Sequence, residues 1–293
     1  MEKKIKILNN SSKNLWTRFI SNHKWEKGFS KLIIDFRDCG FLEPFHLVLL
    51  ACLIEEYFVN DVEIEFIESE NLALNEYLKK INFIYYWQKS FLRSDFVQKT
   101  KDTNLNLWKL ENKSLFPYVN HAKNFFTDYH IKDKDVEPFT IILSELFNNI
   151  IDHSKSKVSG FTITQYFPKN NKIKISICDF GIGIVESINT FFEKNEKPKI
   201  SQIDAFNLAV KHGFSTQSTP QNRGLGLDTL MSIVKTNNGK LRIVTNQVLF
   251  VFDEGIVKIV EVRENFQGTH LDITLNVDNF YEKEELNLDN FDF

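Results

Sequence analysis

The stretch "SELFNNIIDHS", residues 144 to 154, constrains this chain more than any other segment. Leu143, Leu146, Phe147, Ile150 and Ile151 recur at helical spacing, so one side of the segment belongs in a core. Glu145 and Asn149 sit among them, four residues apart, and positions i and i+4 share a helix face. Taken alone, a helical Asn or Glu is usually solvated or capping. On so apolar a helix, a carboxylate and a carboxamide aimed the same way need a polar object in front of them.

Three later elements suggest what that object is. "DFGIGI" (179 to 184) ends the apolar run "KIKISICDF" with Asp179, Gly181 and Gly183. An aspartate at a strand end can accept a hydrogen bond from an exocyclic amine such as that of adenine. Glycines beside it let backbone approach a flat ring or a phosphate without a Cβ in the way. "NRGLGL" (222 to 227) leads into a helix through Gly224 and Gly226, and a helix start presents N–H groups and a positive dipole end to phosphate oxygens. "GTHLDITL" (268 to 275) puts Gly268 and Thr269 at the start of a strand. Asn149 offers a neutral oxygen to a hydrated Mg²⁺, and Glu145 can hold or activate a water.

In this order, "ELFNNIIDH", "DFGIG", "GLGL" and "GT" resemble the N, G1, G2 and final threonine boxes of the GHKL superfamily, over roughly residues 115 to 280. The resemblance implies a Bergerat ATP-binding fold, a mixed sheet covered on one face by helices, with a mobile lid between the G1 and G2 boxes. By that resemblance Asn149 ligates Mg²⁺ and Asp179 reads the adenine amino group. Gly181 and Gly183 line the base, and Gly224 and Gly226, with Leu225 and Leu227 of the same box, serve the phosphates. Thr269 supports the adenine site through water, and Glu145 stands where ATPase branches keep a water-activating base. Asp152 is grouped with the site. His153 stands where kinase branches often carry a basic residue near the phosphates; alone, it reads as a cation at a helix C-terminus.

The first half has the rhythm of an α/β layer domain. "KLIIDF" and "DVEIEFIES" read as strands, and "EPFHLVLLACLIEEYF" and "NLALNEYLKKINF" as helices, the first with Pro44 at a tolerated first-turn position. "KLIIDFRDCGFLEPFHLVLLACL" resembles the strand-loop-helix of STAS domains. Phosphorylatable members carry hydroxyl residues at that helix start; here stand Glu43, Pro44, Phe45 and His46, so no phosphate is expected there unless His46 accepts one. An exposed Pro44–Phe45 would instead offer an apolar contact to the chain's own ATP domain or to a partner. The expected organisation is an α/β chain, an α+β sandwich overall: a STAS-like domain over 1–112, a GHKL ATP-binding domain over 113–280 and an acidic tail over 281–293.

Composition narrows the function class. A formal charge of −3 disfavours general nucleic-acid binding. No apolar run reaches the roughly 18 to 20 residues of a membrane span. The start "MEKKIKILNN" lacks a signal-peptide apolar region, and three scattered cysteines read as buried thiols of a cytoplasmic protein. The resemblance lies nearest the anti-sigma-factor serine kinases, so the expected function is a Mg-ATP-binding regulator, a switch or a serine/threonine kinase. The alternatives are an ATP-hydrolysing part of a larger bacterial complex and a degenerate sensor histidine kinase. The last is disfavoured because His121 and His130 lack the following acid of a phosphoacceptor site. Expected partners are ATP and a regulatory or effector protein, with room for a homodimer.

Overall fold

A computed structural model describes residues 1–8, 12–88, 103, 105–110, 115–153, 156, 158, 160–211 and 226–283; of residues 14, 115, 149–153 and 226 it describes the backbone alone. The first unit runs β1 (Glu2–Lys6), α1 (Lys13–Asn22), β2 (Lys31–Asp35), α2 (Pro44–Phe58), β3 (Glu63–Ile67) and α3 (Leu72–Lys80). Its three strands form a parallel sheet in the order β1-β2-β3. β1 arises from a stretch that reads as merely polar, because only Ile5 and Ile7 face inward there.

The second unit begins with β4 (Trp108–Leu110), followed by α4 (Leu115–Tyr129), α5 (Glu137–His153), β5 (Gly160–Phe167), β6 (Lys172–Asp179) and α6 (Ile184–Lys194). α7 (Gln202–Ala209), α8 (Gly226–Thr236), β7 (Lys240–Asp253) and β8 (Ile256–Asn276) complete it. The five strands pair antiparallel throughout in the order β4-β5-β6-β8-β7. This mixture of a parallel and an antiparallel sheet with helices is the expected α/β class, and the second unit is consistent with a Bergerat fold. Three local features define the unit further. Trp108–Leu110 falls inside the span expected for the first domain but pairs with β5. "IVKIVEV" and "THLDITL" belong to one long strand, β8. α6 packs a Val185, Ile188 and Phe192 stripe on the core although Glu, Ser, Asn and Thr interrupt it in sequence.

The period of 2 along β6 and β8 sorts the sheet's two faces. Ile173, Ile175 and Ile177 of β6 and Leu271, Ile273 and Leu275 of β8 enter one core beneath α4, α5 and α8. Cys178 and Phe180 face the other way and join the core of the first unit, with Phe161, Ile163 and Val244. α2 accounts for that arrangement. Of its 15 residues, 13 are buried, Glu55 and His46 among them. A helix apolar on every side must be covered on every side, and α2 packs on β3 and on β5, β6 and β8. Polar pairs fasten the same boundary: Lys174 to Glu43 at 2.9 Å, Lys109 to the buried Glu55 at 2.7 Å, and Lys13 of α1 to Asp272 of β8.

The start of α2 corrects an expectation. Pro44, Phe45 and His46 are buried, not exposed. The His46 ring packs on Trp16, and its Nδ1 accepts the Glu43 N–H at 2.8 Å. The apolar contact expected of Phe45 is made within the chain, its ring 6.2 Å from that of His270. The first residues of the expected tail are docked: Tyr281 and Lys283 exchange backbone bonds with Asp135 and Asp133. Residues 284–293 lie outside the described residues. No described helix is long and apolar enough to cross a membrane.

Candidate functional site

Asp179 ends β6 on the core face of the sheet, directly opposite Thr269 of β8. It is 2% exposed, and its Oδ1 accepts the Gly181 N–H at 2.7 Å. Burial pushes its carboxyl up to about 7, against the lowering effect of backbone hydrogen bonds from Gly181 and Thr269. A buried carboxylate held only by backbone donors, at the mouth of a glycine loop, is an acceptor suited to the amine of a base.

The loop after it is fixed from a strand that the sequence motifs do not include. α6 starts at Gly183, which has no side chain to cap it, so the first N–H groups of the helix need partners from elsewhere. Thr245 and Asn246 of β7 supply them. The Thr245 hydroxyl accepts the Ile184 N–H at 2.8 Å and donates to the Gly268 carbonyl at 2.9 Å. Asn246 Oδ1 accepts from Val185 and Glu186 at 3.1 and 3.4 Å, while its Nδ2 donates to the Ile182 carbonyl at 2.9 Å. With its first N–H groups taken, the start of α6 is closed to phosphate.

Two glycines have reasons within the chain itself. At Gly183, φ is +81°, and a Cβ would lie 2.4 Å from Asn246 Oδ1. At Gly268, φ is +103°, and a Cβ would lie 2.0 Å from the Asp179 carbonyl oxygen. Both glycines let the strand ends and the loop close on Asp179. The Thr269 hydroxyl lies 3.4 Å from that of Thr245 and is largely buried.

Glu145 belongs to a second group, in the helix layer. It is half-buried on α5 and feels the charge of Asp228 in the first turn of α8, next to Leu227, which packs on the core. Burial, and then the Asp228 charge, raise its carboxyl above the ordinary range, which strengthens it as a base. α5 and α8 pack together, which brings the Asp228 charge within reach of Glu145. The side chains of Asn149, Asp152 and His153, and all of Gly224 and Leu225, lie outside the described residues. Among the described residues no three His, Cys, Asp or Glu side chains gather as a metal site. A magnesium ion would draw most of its ligands from phosphate oxygens and water, as that ion commonly does.

Thr245, Asn246 and Asp228 are absent from the motif reading. Asn246 had a signal: an Asn interrupting the strand pattern "KLRIVTNQVLFVF", where a left-handed residue makes a bulge. Its φ is +49°, and the β7–β8 register shifts on both sides of it.

Residues 134–279 match the family described as histidine kinase-, DNA gyrase B-, and HSP90-like ATPase. No curated protein matches the chain.

Proposed function

We propose that this chain, whose residues 134–279 are a GHKL-type ATPase domain, binds Mg-ATP and uses it as a switch acting on a protein partner. The observation that carries the reading is the buried Asp179 carboxylate, its charge supported by the Gly181 and Thr269 backbone. Asp179 accepts the adenine amine. Gly181, Gly183 and Thr269 shape the base end, and by the resemblance Gly224, Leu225, Gly226 and Leu227, with His153 and Asp152, serve the phosphates. Asn149 offers its side-chain oxygen to magnesium. Bound ATP supplies a transferable phosphoryl group. Glu145 takes the proton of the attacking hydroxyl, from water in a hydrolase or from a partner's serine or threonine in a kinase.

The first unit is on this reading a STAS-like scaffold, and the nucleotide unit resembles that of the anti-sigma-factor serine kinases. A homodimer is the other assembly the resemblance allows. The test is incubation with γ-labelled ATP, alone and with co-purifying proteins. Label on a protein supports the kinase output and free phosphate the hydrolase. A chain that binds no ATP overturns the reading.

A further inference from the structure

We infer that Asn246 is a positioning residue for the base end of the nucleotide site, an inference that rests on the ATP reading above. One carboxamide works on both sides of Gly183. Its oxygen receives the N–H groups of Val185 and Glu186, and its nitrogen gives a hydrogen to the Ile182 carbonyl. The peptide so held, Gly181 to Gly183, lies one residue beyond Asp179 and donates its first N–H to that carboxylate. Moving Asn246 therefore moves the loop, and moving the loop changes what holds the Asp179 carboxylate in place.

The bulge explains how a strand delivers this. Successive side chains of a regular strand point to opposite faces, so Thr245 and Asn246 could not both reach the loop. The left-handed backbone of Asn246, with the register shift around it, turns both toward the start of α6. Non-glycine residues adopt that conformation rarely, and persist in it where the surroundings hold them. Here the surroundings are Gly183, where any Cβ would collide with the carboxamide, and the three bonds themselves. Both polar atoms of the Asn246 carboxamide are bonded to the loop, so it acts through the loop.

Two substitutions in the full chain separate positioning from capping. In Asn246→Asp an oxygen still receives the helix N–H groups, and a negative charge suits a helix N-terminus. It gives no hydrogen to Ile182 and sets oxygen against oxygen there. Asn246→Ala removes both functions. Thermal midpoints without nucleotide, and calorimetric Kd for ATP and GTP, are the readouts. The Asp variant is expected to keep a midpoint near the parent's while losing about tenfold in ATP affinity and most of its preference over GTP. The Ala variant is expected to lose midpoint and preference together. If Asn246→Asp retains the parent's ATP affinity and its ATP-over-GTP ratio, Asn246 is a helix cap only and the inference fails. If the parent chain binds no ATP, the functional reading fails first and takes this inference with it.

Discussion

Thr269 and His270 are neighbours on β8 that serve opposite sides of the sheet. Thr269 stands opposite Asp179, its hydroxyl near that of Thr245. His270 is fully buried on the other face, its Nε2 3.2 Å from the Ser176 hydroxyl and its ring beside Phe45 of α2. Burial, and then the charges of Arg242 and Lys13 with His46, hold the His270 imidazole well below its ordinary range and therefore neutral. β6 repeats the relationship: Asp179 faces the candidate site, while the Cys178 carbonyl accepts the Cys52 thiol of α2 at 3.2 Å. One peptide bond on each strand separates the nucleotide side from the first unit.

Asp179 sets a pH dependence that can be measured without knowing the partner. With its carboxyl near 7, the charged acceptor for an adenine amine forms as pH rises through that value. ATP affinity is expected to rise about tenfold between roughly pH 6 and 8, a span that takes a group of this kind from mostly protonated to mostly ionised. In Asp179→Asn the affinity should fall about ten- to hundredfold at pH 8 and lose that dependence. Titration calorimetry across the range decides it, and a flat parent profile would remove Asp179 from the base site.

The same residue has a stability consequence of the opposite sign. A folded carboxyl raised from 3.8 to about 7 gives a contribution fully present below 3.8 and lost as pH rises through about 7. The nucleotide-free protein should therefore lose, from this group, on the order of a few kcal/mol between pH 4 and 8. Asp179→Asn should remove that component of the slope and raise the thermal midpoint at pH 8 while weakening ATP binding. Midpoints of parent and variant that fall in parallel with pH would contradict it.

How much of this was legible in the sequence follows from what each residue does. Asp179, its two following glycines and the Gly268–Thr269 pair can be read because their conformational or chemical demands leave few residue types. Glu145 can be read because a carboxylate stands beside an apolar stripe. Asn246 and Thr245 are harder, since they reach the loop from some 60 residues away along the chain and act only once β7 is bulged. The burial of Pro44 and Phe45 was hidden for a related reason. "PFHLVLLACLIEEYF" reveals a helix apolar on all sides, but not that a second sheet from later in the chain covers it.

Glu145 and Asp228 give a paired prediction about chemistry. Glu145→Gln should keep ATP affinity near the parent's and lower turnover about a hundredfold or more, the range for loss of a general base. Asp228→Asn removes a charge that raises the Glu145 carboxyl, so the acid limb of the rate profile should move to lower pH. Turnover in Glu145→Gln at the parent's rate would reassign the base.

The boundary between the units yields the last prediction, which concerns a chain divided after residue 112. Severed there, the fragment keeps α2 but loses β5, β6 and β8, against which half of that helix packs. Leu50, Leu53 and Ile54 are fully buried in the intact chain, as are Phe161 and Ile163 across from them. Each such side chain left exposed forfeits about 1.5–3 kcal/mol, so a handful consumes the whole margin of an ordinary domain. The cut also takes β4 from the second fragment and puts Glu43 and Lys174, and Lys13 and Asp272, on separate chains. Fragments 1–112 and 113–293 made separately should be insoluble or lack a cooperative melt, and should recover one only when expressed together. Because Asp179 and Thr269 adjoin Cys178 and His270, ATP should raise the melting temperature of the joined pair in the α2 region as well as at the site. Hydrogen exchange at residues 44–58 with and without ATP measures that link, and unchanged protection there would mean that the two faces of β6 and β8 act independently.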